Sequence, residues 1–188
     1  MPELGELLHA TTRTQWRAWL KANHRKADEI WLVYRKKASG KPFVAYDDAV
    51  EEALCWGWID GVLKSIPGTE SRAQRWSPRK PNSYVSELNK ARIRKMERAG
   101  NMTQAGRAAL PDYAAIIEPP PLVVPGAIRA ALEAAGCWDT FQDFPEDYRR
   151  IKVGWLDVQR GNRPGEFERR LAYLVEKTAK GEMYGTLP

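Results

Sequence analysis

Asp60 is an acid set in an apolar run, between Trp58-Ile59 and Gly61-Val62. A carboxylate so placed is either paired with a base or chemically employed. Arg75, on the far side of a turn signal at Pro67-Gly68, is the candidate partner. Pairing is the simpler reading. The alternative is an enzyme acting on a small anion, with Asp60 as acid or base and Arg75 as the anion clamp. Around these two stand Trp56, Trp58, Lys64, Trp76, Arg79 and Lys80. Guanidinium groups hold anions in a bidentate fork and indoles supply flat apolar walls, so these eight residues form the expected ligand site. A small anion, such as a phosphorylated molecule, is one expected partner. Nucleic acid is the other, through residues 72–98. There Lys90, Arg94 and Arg98 recur every four residues, and Trp76 and Tyr84 offer stacking surfaces.

Strong catalytic signatures are absent from the chain. It contains no G-x-S-x-G, no phosphate-binding P-loop, no G-x-G-x-x-G and no H-E-x-x-H. Its only histidines, His9 and His24, lie in unrelated contexts, and Cys55 and Cys137 have no metal-ligand spacing. No catalytic residue, metal ligand or cofactor is assigned on this basis, and a binding protein is expected rather than an enzyme.

Charge is unevenly placed. The net charge of +6 over 188 residues comes from residues 61–100, with ten basic and three acidic side chains; residues 1–60 are neutral and residues 101–188 carry −1. Such asymmetry marks either an anion-binding surface or a solvated helix face with a basic loop. No apolar run approaches the roughly 18 residues of a membrane span, and the N-terminal stretch does not read as a signal peptide. Membrane insertion is therefore not expected, and the expected compartment is the cytoplasm.

Several elements would position these residues. Thr14–Asn23 reads as a helix, with Trp16, Trp19 and Leu20 on a core stripe and Thr14 as its cap. Glu29–Lys36 reads as a covered strand, followed by a turn-rich loop through Lys41-Pro42. Asp47–Trp58 reads as a helix capped by Asp47 or Asp48, with Gly57 allowing close packing. Residues 59–66 and 69–76 form a hairpin about Pro67-Gly68. Ser77–Pro81 is extended, and a helix capped by Asn82 or Ser83 runs to Ala99. Another runs from Met102-Thr103 to about Leu110. After the proline run Glu118–Pro121, three helices are expected: Pro125 to Gly136, one from Pro145 and one from Pro164. The second should present Tyr148, Ile151, Trp155 and Val158, and the third Phe167, Leu171, Leu174 and Val175.

The motifs Y-D-D-A-V-E-E-A-L-C-W-G-W-I-D-G, R-W-S-P-R-K-P-N-S-Y-V-S-E-L-N and G-N-M-T-Q-A-G resemble the YdeI/OmpD-associated, bacteriocin-protection family. E-I-W-L-V-Y-R-K-K-A-S-G-K-P fits as well, and the segment after the prolines is similar to that family's C-terminal helical domain. The likeness covers nearly the whole chain. It is denser in the first two-thirds and looser at Arg160–Gly165. The resemblance implies a link to bacteriocin or antimicrobial-peptide tolerance and, by the family's name, to envelope proteins. It supplies no catalytic residues.

The expected fold is α+β: a small antiparallel sheet covered by helices in residues 1–117, a Pro-rich linker at 118–124, and a helical module at 125–182.

Overall fold

The hairpin grows from a turn that the sequence dictates. Pro67 fixes φ near the value a type II turn needs at its second position, and Gly68 takes φ +72° at the third. Thr69 N–H closes the turn on Ile66 O at 3.2 Å. The arms are β3 (Trp58–Ser65) and β4 (Arg72–Pro78), and β4 also pairs antiparallel with β2 (Ile30–Tyr34). A short β1 (Leu7–Leu8), which has too few residues to show a period, adds a parallel strand beside β2. The sheet order is β1-β2-β4-β3. β4 runs two residues past its expected end at Trp76. Ser77 and Pro78 pair with β3 alone, so the missing proline N–H costs the sheet centre nothing.

The structure, a computed structural model, describes residues 3–35, 40, 42–159 and 165–188. The expected loop at Lys36–Lys41 therefore lies outside the described residues except for Gly40, as do Arg160–Pro164 and the Val158 side chain. The fold class is α+β, with the sheet in the N-terminal part and only helices among the described residues after it. The chain divides into two compact units, residues 1–84 with 93–113 and residues 85–92 with 114–188.

In the first unit, α1 (Arg13–Asn23) and α2 (Tyr46–Cys55) pack by tryptophan. Trp16 and Leu20 are fully buried, and the Trp16 ring lies 5.5 Å from Trp76 of β4 and stacks on Trp19. Its indole N–H donates to Ala49 O of α2 at 3.0 Å, which fixes one helix against the other. The cap of α1 is Thr12 rather than Thr14, and its hydroxyl accepts from Gln15 N–H. Neither Asp47 nor Asp48 caps α2; both lie in its first turn, where they favour the positive helix end, and Asp48 binds Arg13 instead.

The carboxylates of Glu51 and Glu52 are buried on α2. Arg13 bonds both, Arg17 bonds Glu52 at 2.6 Å, and Lys95 bonds Glu51 at 2.7 Å. At the C-terminal end of α2 the backbones meet closely. A Cβ on Gly106 of α4 (Gln104–Ala108) would fall 2.2 Å from Cys55 O, and one on Gly57 would fall 2.6 Å from the Ala109 methyl. Thr103 ties the two together, since its hydroxyl donates to Cys55 O and caps α4 by accepting from Gly106 N–H. The motif G-N-M-T-Q-A-G is thus a packing device.

Helix α3 (Glu87–Arg98) begins later than the Asn82 or Ser83 expected. Asn82 has φ +59°, which no helical residue adopts. Arg79 gathers Ser83 O, Ser83 Oγ and Tyr84 O, which holds the segment out of the helix, and Ser86 Oγ accepts from Asn89 N–H in the capping position.

The second unit is helical. It contains α6 (Gly126–Ala134), α7 (Trp138–Asp143), α8 (Glu146–Gln159) and α9 (Glu166–Ala179), while α5 (Tyr113–Ile117) starts at the boundary between the units. Ile128, Leu132, Phe141, Leu156 and Leu174 form its core, with Phe167, Leu171 and Val175 packed against it as their spacing predicts. Residues 118–124 form no helix or strand; Leu122 and Val124 pack on this core and Arg150 donates to Pro120 O. Trp155 departs from the expected core face and lies exposed, with the Arg170 guanidinium 3.7 Å from its ring centroid. Val153 and Leu156 pack into the core from this helix, and Lys152 is also buried. Its ammonium lies 3.6 Å from the Tyr184 ring centroid and donates to Tyr184 O at 2.6 Å.

Two pH responses follow. Burial alone would raise the Glu51 pKa, but the bonds from Lys95 and Arg13 win and hold it below the usual range. A lowered carboxylate pKa adds stability above the unfolded pKa that is lost as pH falls through the folded one. Glu51→Gln is expected to lower stability at pH 7 by about 2 kcal/mol, between the exposed and buried limits for ion pairs. Urea unfolding should show the wild-type advantage shrinking below the usual carboxylate range. Lys152 behaves oppositely: desolvation lowers its pKa from 10.5 to about 8. The unfolded chain then binds the extra proton between those values, so this residue makes stability rise with pH. Lys152→Met should gain most against wild type at neutral pH, and the gain should shrink as pH rises from 8 to 10.5.

Candidate functional site

Register decides which of the expected site residues meet. Asp60 pairs with Trp76 and Leu63 with Gln74, while Tyr34 pairs with Arg72 and Ile30 with Trp76. Directly paired residues share a face, and neighbours along a strand alternate. Asp60, Leu63, Gln74, Arg72 and Tyr34 therefore lie on the face that carries Trp76 and α1. Arg75 and Lys64 lie on the other, with Trp31.

Arg75 consequently does not pair with Asp60. Its Nε donates to Glu29 Oε2 at 2.6 Å, and Lys64 Nζ lies 5.9 Å from the Trp31 ring centroid. Asp60 instead accepts from the Tyr46 hydroxyl at 2.8 Å, across from the first residue of α2.

The tryptophans do not form a ligand wall. Trp58 and Trp76 are 1% and 0% exposed, and Trp58 donates to His24 O. Trp56 is half-buried against the His24 ring, with Arg17 6.0 Å above it. Arg79 is 8% exposed and serves its own loop, its pKa lowered by desolvation; Lys80 alone of that group is exposed. The basic stripe on α3 is not an open track either, because Arg94 is buried and Lys90 is paired with Glu87 at 2.6 Å.

What the fold does bring together around Asp60 is a cavity of about 690 Å³ in the first unit. Its lining comes from β2 and the residue after it (Tyr34, Arg35), from α2 (Tyr46), and from β3 and β4 (Asp60, Leu63, Gln74, Arg72), with Gly61 and Glu70 completing it. The register breaks between Asp60 and Leu63, a bulge that opens β3 at this point. Gln74, 6% exposed, donates its amide N–H to Gly61 O at 2.5 Å and so fixes the floor. Tyr34 packs edge-on against Phe43, and desolvation raises its phenol pKa, with Tyr46 and Asp60 adding to the shift. Arg35 reaches toward His9 Nδ1 at 3.4 Å.

Of the eight expected residues only Asp60 lines this cavity. Arg72 opens the basic segment 72–98, but nothing in the sequence points to Tyr34, Arg35, Tyr46 and Gln74 as site residues, because no spacing links residues from three strands and a helix. The parity of the hairpin was the available signal: once Asp60 is set opposite Trp76, Arg72 and Gln74 fall on its face.

A second cavity of about 400 Å³ is lined by the Arg13, Arg17, Glu51, Glu52 and Lys95 network, whose charges already satisfy one another. Both cysteines are free and buried, and desolvation raises both thiol pKa values, which makes them poor nucleophiles. Among the described residues no His, Cys, Asp and Glu group is arranged to hold a metal, and no helix is long and apolar enough to cross a membrane.

The chain is thus built of an α+β unit, with a cavity on its helix-bearing sheet face, and a second, helical unit. The chain belongs to a family described as a domain of unknown function, DUF8412, whose model matches residues 8–109. Residues 121–181 match the bacteriocin-protection, YdeI or OmpD-associated family. That match falls on the helical C-terminal segment rather than on the denser motifs upstream. No characterised protein and no solved structure shows significant similarity to the chain.

The two arginines from the expected site make opposite predictions. Arg75 is a partly exposed surface pair, so Arg75→Ala should cost under about 1 kcal/mol. Arg79→Ala strips the shared donor from three loop acceptors and should cost about 2–3 kcal/mol. Urea denaturation of both variants beside wild type measures the difference.

Proposed function

We propose that this chain is a non-catalytic binding protein of the YdeI/OmpD-associated type, whose site is the cavity around Asp60. The observation that carries the reading is the 690 Å³ space in which Asp60, Tyr46, Arg35 and Arg72 are gathered from four separate segments. A cavity of that size with a few convergent polar groups suits a small ligand. Arg35 and Arg72 supply the guanidinium groups for an anionic moiety, in place of Arg75 and Arg79, which serve Glu29 and the Ser83 loop. Leu63 and Tyr46, 48% and 45% exposed, give it an apolar lip. The C-terminal family match supports a part in bacteriocin or antimicrobial-peptide tolerance, and the free thiols suit a reducing cytoplasm.

The nucleic-acid reading draws less support, because its stacking residue Trp76 is buried and Arg79 and Arg94 are turned inward. A thermal-stabilisation screen of small carboxylates and phosphates against the whole chain tests the proposal. A binder at 100 times its Kd raises stability by about 2.7 kcal/mol. The expected outcome is at least one hit that Arg72→Ala weakens tenfold or more while Arg75→Ala leaves it unchanged. No hit, or hits indifferent to Arg72, would remove the cavity as the site.

A further inference from the structure

The cavity is polarised. Asp60 lies opposite Trp76 at one end, and Arg72 lies opposite Tyr34 at the other, with Arg35 next in sequence to Tyr34. Trp76 and Arg72 are four residues apart on one strand, which at about 3.4 Å per residue places the two ends about 14 Å apart along the backbone. Glu70 shares the arginine end, leaving two cations against one carboxylate there. At the acidic end, Asp60 Oδ2 is taken by the Tyr46 hydroxyl, and the carboxylate remains partly exposed toward the cavity. The Tyr46 phenol donates to this carboxylate and Tyr34 lines the same cavity, and aromatic side chains near a carboxylate suit a cationic amine.

We propose that the ligand is a short peptide with free ends, its ammonium at Asp60 and its carboxylate at Arg35 and Arg72. This rests on the cavity being the binding site, and it narrows the anion to a dipolar chain of defined length. One extended residue spans about 3.5 Å, too little to join the two ends, whereas two to four residues span about 7 to 14 Å. An arginine side chain is long enough to close part of that distance, so the lower and middle part of that range fits best. Leu63 and the tyrosines give an apolar contact for a central side chain, and the Gln74 amide lies on the floor beneath the ligand backbone.

Calorimetric titration of the whole chain tests this with phenylalanine, Ala-Phe, Ala-Phe-Ala and a five-residue Ala-Ala-Phe-Ala-Ala. The N-acetylated and C-amidated forms of Ala-Phe-Ala complete the series. Ala-Phe or Ala-Phe-Ala is expected to bind best, with phenylalanine at least tenfold weaker. Acetylation should cost tenfold or more in wild type and little in Asp60→Asn; amidation should cost as much in wild type and little in Arg72→Ala. Thermal unfolding confirms that both variants fold, and the blocked peptides on wild type test the idea without them. Equal binding of free and blocked peptides, or tightest binding by phenylalanine, overturns the proposal. If no peptide binds while the anion screen yields an Arg72-dependent hit, the peptide is wrong and the site stands. If neither binds, both fall.

Discussion

The packing of Trp16 against Trp76 is the contact on which the rest of the first unit depends. Two indoles with ring centroids 5.5 Å apart anchor α1 on the central strand, and the Trp16 N–H then fixes α2 through Ala49 O. Burial of each indole contributes about the most that any side chain can. Because this anchor sits at the Ile30–Trp76 end of the sheet face, the helices spend their apolar surface there. On the same face the cavity runs from Asp60, paired with Trp76 on the outer strand β3, toward the Tyr34–Arg72 end.

The basic segment illustrates how a charge count in sequence differs from a charged surface. Residues 61–100 hold the whole positive excess, yet its members are largely committed within the fold. Arg79 organises a loop, Arg75 meets Glu29, Lys95 neutralises the buried Glu51, and Arg92 and Arg94 are buried. The acidic partners for these cations come from elsewhere in the chain, chiefly α2 and the residue before β2. Excess charge in a window therefore reported long-range pairing between segments more than it reported a ligand.

What was legible in sequence was local. The Pro67-Gly68 turn, the Trp16/Leu20 stripe, the covered apolar strand at 30–34 and the spacing of Phe167, Leu171 and Leu174 each follow from a period, an apolar run or a backbone constraint, and each is present. Misreadings arose where side chains outcompeted propensity. Arg79 and a left-handed Asn82 delay α3, and on α8 the core positions fall to Val153 and Leu156 while Trp155 stays exposed under the Arg170 guanidinium. The site was legible only through Asp60. Its partner was misassigned because Arg75 is one residue off parity, and a single step along a strand reverses the face.

The bulge between Asp60 and Leu63 also governs how this molecule behaves beside its own copies. β3 is one of the two edge strands among the described residues, and its unpaired side would be a template for a neighbouring chain. The extra residue interrupts that edge midway, so its free amides and carbonyls do not continue at one regular spacing, and Lys64 adds a charge beyond the break. The apolar, exposed Val62-Leu63 step on this margin therefore sits at the break rather than in a regular ladder. The same irregularity beside the cavity thus breaks the regular edge that strand-to-strand association needs.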